Sequence, residues 1–244
     1  MEGYDASTYG ERIAEIYDRL YDHAFDVDAT VETLVRLARG GRALELAIGT
    51  GRIAIPLSRR SIDVQGIDAS EAMVARMRAK PGGDAIVVTF GDFADVDVGG
   101  RFDLVYIVFN TLFALVTQEA QIRCFRNVAD HLGPNGVFVV EGFVPDLARF
   151  DRDQRVQVTE MDLDEVMLDV SRHDAANQRI DSQHIVLGKG ETRLYPVNLR
   201  YAWPSELDLM ARLAGLRLAQ RWGGWRQERF TAQSSSHVSI YERA

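Results

Sequence analysis

The sequence predicts an α/β protein: a doubly wound, mostly parallel seven-stranded sheet with helices on both faces, plus an antiparallel β-meander insert over the rim at the strands' carboxyl ends, where the active site is expected. Three observations predict it. Short, largely apolar segments such as "RALELA" (42–47) and "FDLVYIVF" (102–109) alternate with helical stretches through the first 145 residues, the mark of strands covered on both faces. A glycine turn, Gly49-Thr50-Gly51, closes the first of these strands. Beyond Pro145 the pattern changes to alternating polar and apolar residues, the period of an antiparallel sheet with one wet and one dry face.

The elements follow in order. "MEGYDASTYGERIAEIYDRL" is an amphipathic opening helix, and "DATVETLVRLARGG" (28–41) is a second, with Val31, Leu34 and Leu37 on one face and two glycines as its stop. The first strand and its turn lead into a short helix over 53–60. "IDVQGID" (62–68) is the second strand, and "ASEAMVARMRAK" (69–80) is a helix capped by Ser70 and ended before Pro81. "AIVVTF" (85–90) and "FDLVYIVF" are strands three and four. "TQEAQIRCFRNVADHL" (117–132) is a helix broken by "GPNG", and "VFVVEGF" (137–143) is strand five. The meander holds four strands: "RVQVTEMD", "EVMLDVSRHD", "QRIDSQHIVL" and "TRLYPVNLRYAW". "PSELDLMARLAG" is a last helix, and "LRLAQRW" and "SHVSIYER" complete the sheet. No repeat or Gly/Ser linker interrupts the chain, so residues 1–244 are expected to form one domain, with about 150–203 as an insert folded onto it.

Composition narrows the class. The net charge of −8 disfavours non-specific attraction to nucleic acid or an anionic membrane. The single cysteine, Cys124, permits no internal disulfide, and neither a signal-peptide core nor a membrane-length apolar run is visible, so a cytoplasmic location is expected. His23, His131, His173, His184 and His237 show no metal-ligand spacing, and no metal is expected. No Gly-x-Ser-x-Gly elbow appears either.

The chemistry concentrates at the carboxyl ends of the parallel strands. Gly49 and Gly51 let backbone approach a ligand closely, and the next helix starts at Arg52 with its free N–H groups facing the same space. A cation at that position invites a carboxylate partner. Glu45, inside an apolar strand, needs loop N–H groups or a ligand ammonium as partners. Asp68 ends the second strand, where it is placed to accept from both ribose hydroxyls, the other reading being a helix cap. "GDF" (91–93) ends the third strand: the Asp92 carboxylate is placed to accept from an adenine amino group and the Phe93 N–H to donate to a ring nitrogen. Asp92 also suits a turn that holds its own backbone.

On Glu45–Gly51, Asp68, "GDF", "FDLVYIVFN" (102–110) and "LGPNGVFVVE" (132–141), the chain resembles the class I S-adenosylmethionine-dependent methyltransferases over about residues 40–145. The opening "IYDRLYD" and the meander resemble the small-molecule branch, including antibiotic sugar N-methyltransferases. The resemblance implies S-adenosyl-L-methionine as cofactor, held by Tyr17, Glu45, Ala47, Gly49, Gly51, Arg52, Asp68, Ala69, Asp92, Phe93 and Phe109. Ala47 replaces a family glycine, which is expected to be harmless with a negative φ. "FNTLF" stands where nucleic-acid amino methylases carry Asn-Pro-Pro-Tyr, which argues against a DNA acceptor. The implied reaction is in-line methyl transfer to nitrogen or oxygen of a small molecule by a monomer or homodimer. Phe109, Asn110, Glu141, Arg200 and Tyr201 are expected in the acceptor wall, with Tyr17, Glu141, His184 and Arg200 as catalytic candidates. Two alternatives stand: a nicotinamide-dependent oxidoreductase, which lacks its third loop glycine here, and a non-catalytic nucleoside-binding protein.

Overall fold

The computed structural model describes residues 1, 3–21 and 26–244. His23 lies outside the described residues. Two short helices, α1 (Thr8–Ile13) and α2 (Tyr17–Tyr21), stand where one opening helix was expected, and α3 (Val27–Ala38) follows. The alternation then runs β1 (Arg42–Leu46), α4 (Ala54–Ser58), β2 (Asp63–Asp68), α5 (Glu71–Arg78), β3 (Val87–Phe90), β4 (Phe102–Ile107), α6 (Gln118–His131) and β5 (Leu132–Phe143). The insert holds β6 (Gln154–Met161), β7 (Glu165–Asp174), β8 (Arg179–Gly188) and β9 (Glu191–Arg200). The chain closes with α7 (Pro204–Leu213), β10 (Leu216–Trp222) and β11 (Ser236–Arg243).

The expected capping chemistry sets the helix starts. Ser70 and Thr117 accept from Met73 N (3.1 Å) and Ala120 N (3.1 Å) at the starts of α5 and α6, and Pro204 occupies the first turn of α7. No helix among the described residues is long and apolar enough to cross a membrane.

The main sheet has the order β10-β11-β5-β4-β1-β2-β3, parallel throughout except for β11 against β5 and β10. The chain winds outward from β1 to β3, then returns to place β4 on the other side of β1. That reversal puts a crevice at the carboxyl ends of β1 and β4, the usual ligand position in an open α/β sheet. Alternate strand residues feed two cores. Leu44, Val105, Phe138 and Tyr241 pack with α6 and α7, while Ala43, Leu104, Tyr106 and Ile240 pack with α3, α4 and α5.

The insert is a separate sheet in the order β6-β7-β8-β9. Its inward residues Met167, Val186 and Tyr195 pack on Ile13 and Ile16, with Tyr9, Tyr17 and Tyr21 against them. At its other end Arg200 is buried, donating to Gln121 Oε1 (2.7 Å), Gln178 Oε1 (3.1 Å) and Glu206 Oε1 (2.8 Å). These bonds fasten the insert to α6 and α7.

The outward face of the insert departs from expectation. Alternation predicts a wet face there, but the register aligns Val158, Leu168, Ile185 and Leu194 across all four strands. Val156 and Met161 extend this patch, and both are exposed, at 69% and 72%. The period of two is real, but it separates a partly polar inner face from an apolar outer one.

Candidate active site

The site grows from the turn after β1. Gly49 (φ 57°) and Gly51 (φ 73°) both take left-handed backbone, and the structure separates their roles. A Cβ on Gly49 would meet nothing nearer than Ala47 O at 4.0 Å, so the space over Gly49 is open. A Cβ on Gly51 would stand 2.5 Å from Met77 Cγ and 3.0 Å from Ile55 Cδ1. Gly51 is thus required for helix packing, and Gly49 faces the crevice.

Ala47 corrects the expectation of a negative φ: it sits at φ 56°. The turn keeps the left-handed geometry of a glycine and strains the alanine that occupies it, at a cost of about 1–2 kcal/mol.

Two buried acids frame the turn. Glu45 accepts from the Tyr106 hydroxyl at 2.9 Å; the two are partners in the β1–β4 register. Burial pushes its carboxyl up to about 8, the Tyr106 bond opposing and the nearby Asp68 charge adding to it. Asp68 Oδ2 accepts from Gly49 N (2.7 Å) and Oδ1 from Ser70 N (2.8 Å), so the cap reading and the rim reading meet in one carboxylate. Burial raises its pKa, and the N–H groups of Ser70, Gly49 and Ala69 hold it back. Ala69 is half-buried beside it. Gly91 N donates to Asp68 O (3.0 Å), which brings the "GDF" turn to the same rim. There Asp92 Oδ1 accepts from Ala94 N (2.9 Å), the self-held turn, and the Phe93 ring is buried in the core.

At the end of β4, Phe109 (φ 58°) and Asn110 (φ 63°) form a left-handed pair. Two side-chain bonds hold it: Phe109 N donates to Glu141 Oε2 (2.9 Å), and Phe143 N donates to Asn110 Oδ1 (2.7 Å). Glu141 therefore positions Phe109. Burial raises its carboxyl above the ordinary range, and the Phe109 N–H opposes that rise.

The N-terminal helices close over the turn. The Arg52 guanidinium lies over the rings of Tyr17 (5.0 Å), Phe109 (5.2 Å) and Tyr21 (5.8 Å), and it donates to Tyr21 O at 2.6 Å. Thr50 Oγ1 donates to Asp18 Oδ1 (2.6 Å), and Lys80 Nζ bridges Asp18 Oδ2 (2.7 Å) and Thr50 O (2.8 Å). Burial pushes the Tyr17 hydroxyl well above its ordinary value.

The structure thus brings Tyr17, Glu45, Ala47, Gly49, Arg52, Asp68, Ala69 and Phe109 together, with Asp92 and Phe93 one strand away. Gly51 lies in the turn but serves its packing. Arg200 is the second correction: its guanidinium is buried and committed to Gln121, Gln178 and Glu206, which gives it a structural task in fastening the insert. Tyr201 is likewise buried, its hydroxyl 3.0 Å from His173 Nε2. Sequence reasoning missed Asp18, Lys80 and Tyr106. The available signal for Tyr106 was a lone hydroxyl among the buried residues of its strand.

Comparison with known proteins fits this geometry. Residues 43–136 match a family model described as a methyltransferase domain. The cypemycin N-terminal methyltransferase of a Streptomyces species is 29% identical, covering 98% of this chain and 99% of its own. The dTDP-4-amino-2,3,4,6-tetradeoxy-D-glucose N,N-dimethyltransferase of Saccharopolyspora spinosa is 30% identical over 56% of each chain. The solved structure of the CcbJ methyltransferase from Streptomyces caelestis is 38% identical, covers 99% of this chain and 100% of its own, and superposes with a TM-score of 0.90. The chain therefore belongs to the S-adenosylmethionine-dependent methyltransferases, and is an enzyme of that class rather than a nicotinamide-dependent oxidoreductase or a non-catalytic nucleoside-binding protein.

Proposed function

We propose that the enzyme methylates an amine nitrogen of a small molecule. The observation that carries this reading is the closure of the crevice: α2 is bonded to the turn through Thr50, Lys80 and Arg52, and the insert packs on the tyrosines above it. A pocket so covered suits a metabolite or a chain terminus, and excludes a duplex. The acidic net charge and "FNTLF" at 109–113 support the same exclusion. The names of two relatives, an N-terminal methyltransferase and an amino-sugar N,N-dimethyltransferase, support nitrogen over oxygen.

The residues fit the cofactor. The open space over Gly49 admits its backbone-facing part, Asp68 offers a buried carboxylate to ribose hydroxyls, and the Glu45 carboxyl suits an ammonium, whose charge would favour its ionised form. Arg52 suits a carboxylate, and Asp92 and the Phe93 N–H suit an adenine edge. When bound, the sulfonium supplies an already electrophilic methyl group. The chain's own contribution is to orient the acceptor in line, exclude water and accept a proton. Tyr17 and Phe109, on either side of Arg52, form the wall between cofactor and acceptor.

We further infer a homodimer in the cytoplasm. The buried free thiol of Cys124 suits a reducing compartment, and the exposed Val156, Val158, Met161 and Leu194 on the outer face of the insert suit contact with a second copy. A methyl-release assay over amino sugars, peptide N-termini and their hydroxyl analogues tests the main reading. Amines should be turned over, and turnover confined to the hydroxyl compounds would overturn it.

A further inference from the structure

The inward face of the insert has a polar middle. Register sets Asp169 on β7 opposite His184 on β8, and His184 opposite Tyr195 on β9; two residues along, Ser171 faces Ser182. To one side Met167, Val186 and Tyr195 pack under the N-terminal tyrosines, and to the other Ile180 and Tyr201 join the core beneath α6. The four polar residues between them belong to neither core. Ser171 and Ser182 are buried, and Asp169 and His184 are half-buried beside them.

Their internal bonds are incomplete. Ser171 Oγ donates to Asp169 Oδ1 at 2.9 Å and lies 2.9 Å from Ser182 Oγ. No group among the described residues hydrogen-bonds either ring nitrogen of His184, although burial pushes its imidazole below the ordinary value against the Asp169 charge. The other groups that sense Asp169 are Arg149 and Tyr21. Tyr21 ties this row to the donor side: its hydroxyl is 3.1 Å from that of Tyr9, and its ring lies under Arg52.

We propose that Asp169 and His184 form the acceptor-binding pair, Asp169 holding the nitrogen to be methylated and His184 taking the proton that this nitrogen must shed. The proposal rests on the amine reading above. An ammonium R–NH3+ carries no lone pair. Passing one proton to the neutral imidazole gives R–NH2 and an imidazolium beside the Asp169 carboxylate. The lone pair then forms the N–CH3 bond as the S–CH3 bond breaks, its electrons remaining on sulfur, which leaves R–NH2–CH3+ and a neutral thioether. The imidazolium returns its proton to solvent on product release. Desolvation lowers the pKa of the ammonium, which favours the first step, and the Asp169 charge favours the imidazolium that forms, which offsets the opposing effect of burial on the imidazole. The same row serves a second methylation, since R–NH2–CH3+ must again lose a proton.

The test uses the full chain and an amine taken from the acceptor panel, with rates measured from pH 5.5 to 9. Asp169→Asn should raise the acceptor KM tenfold or more. His184→Gln should lower kcat by about 10²-fold, the range of a lost general base, and remove the acid-side limb of kcat/KM. Asp169→Glu should recover part of the lost affinity. In all three variants the S-adenosylmethionine Kd should stay within twofold. On the wild-type protein, with S-adenosylhomocysteine present, adding the amine should shift the His184 imidazole resonances, and adding its hydroxyl analogue should not. Amine turnover with unchanged KM, kcat and pH profile in the variants overturns the pair's role and leaves the amine reading intact. Wild-type turnover of hydroxyl compounds alone overturns both.

Discussion

The Gly49 N–H donates to Asp68 Oδ2 at 2.7 Å, so one buried carboxylate fixes the turn after β1 to the end of β2. Its other oxygen holds Ser70 N. Asp68→Ala should therefore lose both cofactor affinity and stability, at about 1–3 kcal/mol for each N–H left unpaired. Asp68→Asn keeps the shape and one acceptor oxygen, and should stay folded while its affinity falls tenfold or more. Calorimetry that returned wild-type affinity for Asp68→Asn would remove Asp68 from the cofactor site.

The two turn glycines should respond differently. Gly49→Ala puts its methyl into open space and should weaken S-adenosylmethionine binding, with only the strain of a left-handed residue, about 1–2 kcal/mol, taken from stability. Gly51→Ala adds to the same strain a clash with Met77 and Ile55, and should melt at a clearly lower temperature. Equal melting temperatures would contradict this division.

Ala47→Gly should stabilise the protein. Relief of the φ of 56° is worth about 1–2 kcal/mol, and the added freedom of the unfolded chain returns roughly 0.5–1 of it. Urea denaturation should show a higher midpoint at unchanged slope. A lower midpoint would mean that the alanine methyl packs favourably enough to outweigh its backbone strain.

Glu45 makes stability depend on pH in a defined direction. Its carboxyl ionises near 4.5 in the unfolded chain and near 8 in the folded one, with burial the main cause. Between those values the folded state binds the extra proton, so stability falls as pH rises through the window. Glu45→Gln removes that difference. Wild-type stability relative to the variant should decline from pH 5 to pH 8, and a constant gap in urea titrations would show that Glu45 is ionised throughout.

The apolar outer face of the insert predicts an assembly defect. Val158→Lys places a charge at the β6 end of the row that runs to Leu194 and should convert a dimer to monomers in light scattering without lowering cofactor affinity. A wild-type protein that is already monomeric at micromolar concentration would remove the dimer.

Much of the rim was legible because its chemistry is local. Gly49, Asp68 and the "GDF" turn announce themselves by residue type at strand ends, where backbone freedom or a carboxylate has few other uses. What escaped depends on partners far along the chain. Nothing near Arg200 shows that Gln121 will claim its guanidinium, and nothing near Asp18 points to Lys80. The sign of φ at Ala47 was hidden for a different reason: alanine prefers the other region, and the turn overrides the preference. Alternation in the insert gave its strands correctly, but a period of two cannot say which face meets water.

The bonds from α2 to the turn also bear on turnover. Thr50, Lys80 and Arg52 all grip the N-terminal segment across the crevice, so spent cofactor that leaves past α2 must wait for that grip to release. The slow event in each cycle is then expected to be mechanical rather than chemical, with a burst of methylated product in the first turnover. Asp18→Ala, which cuts two of the bonds, should raise the steady-state rate while loosening cofactor retention. An enzyme that has traded speed for tenure of its methyl donor would behave in this way.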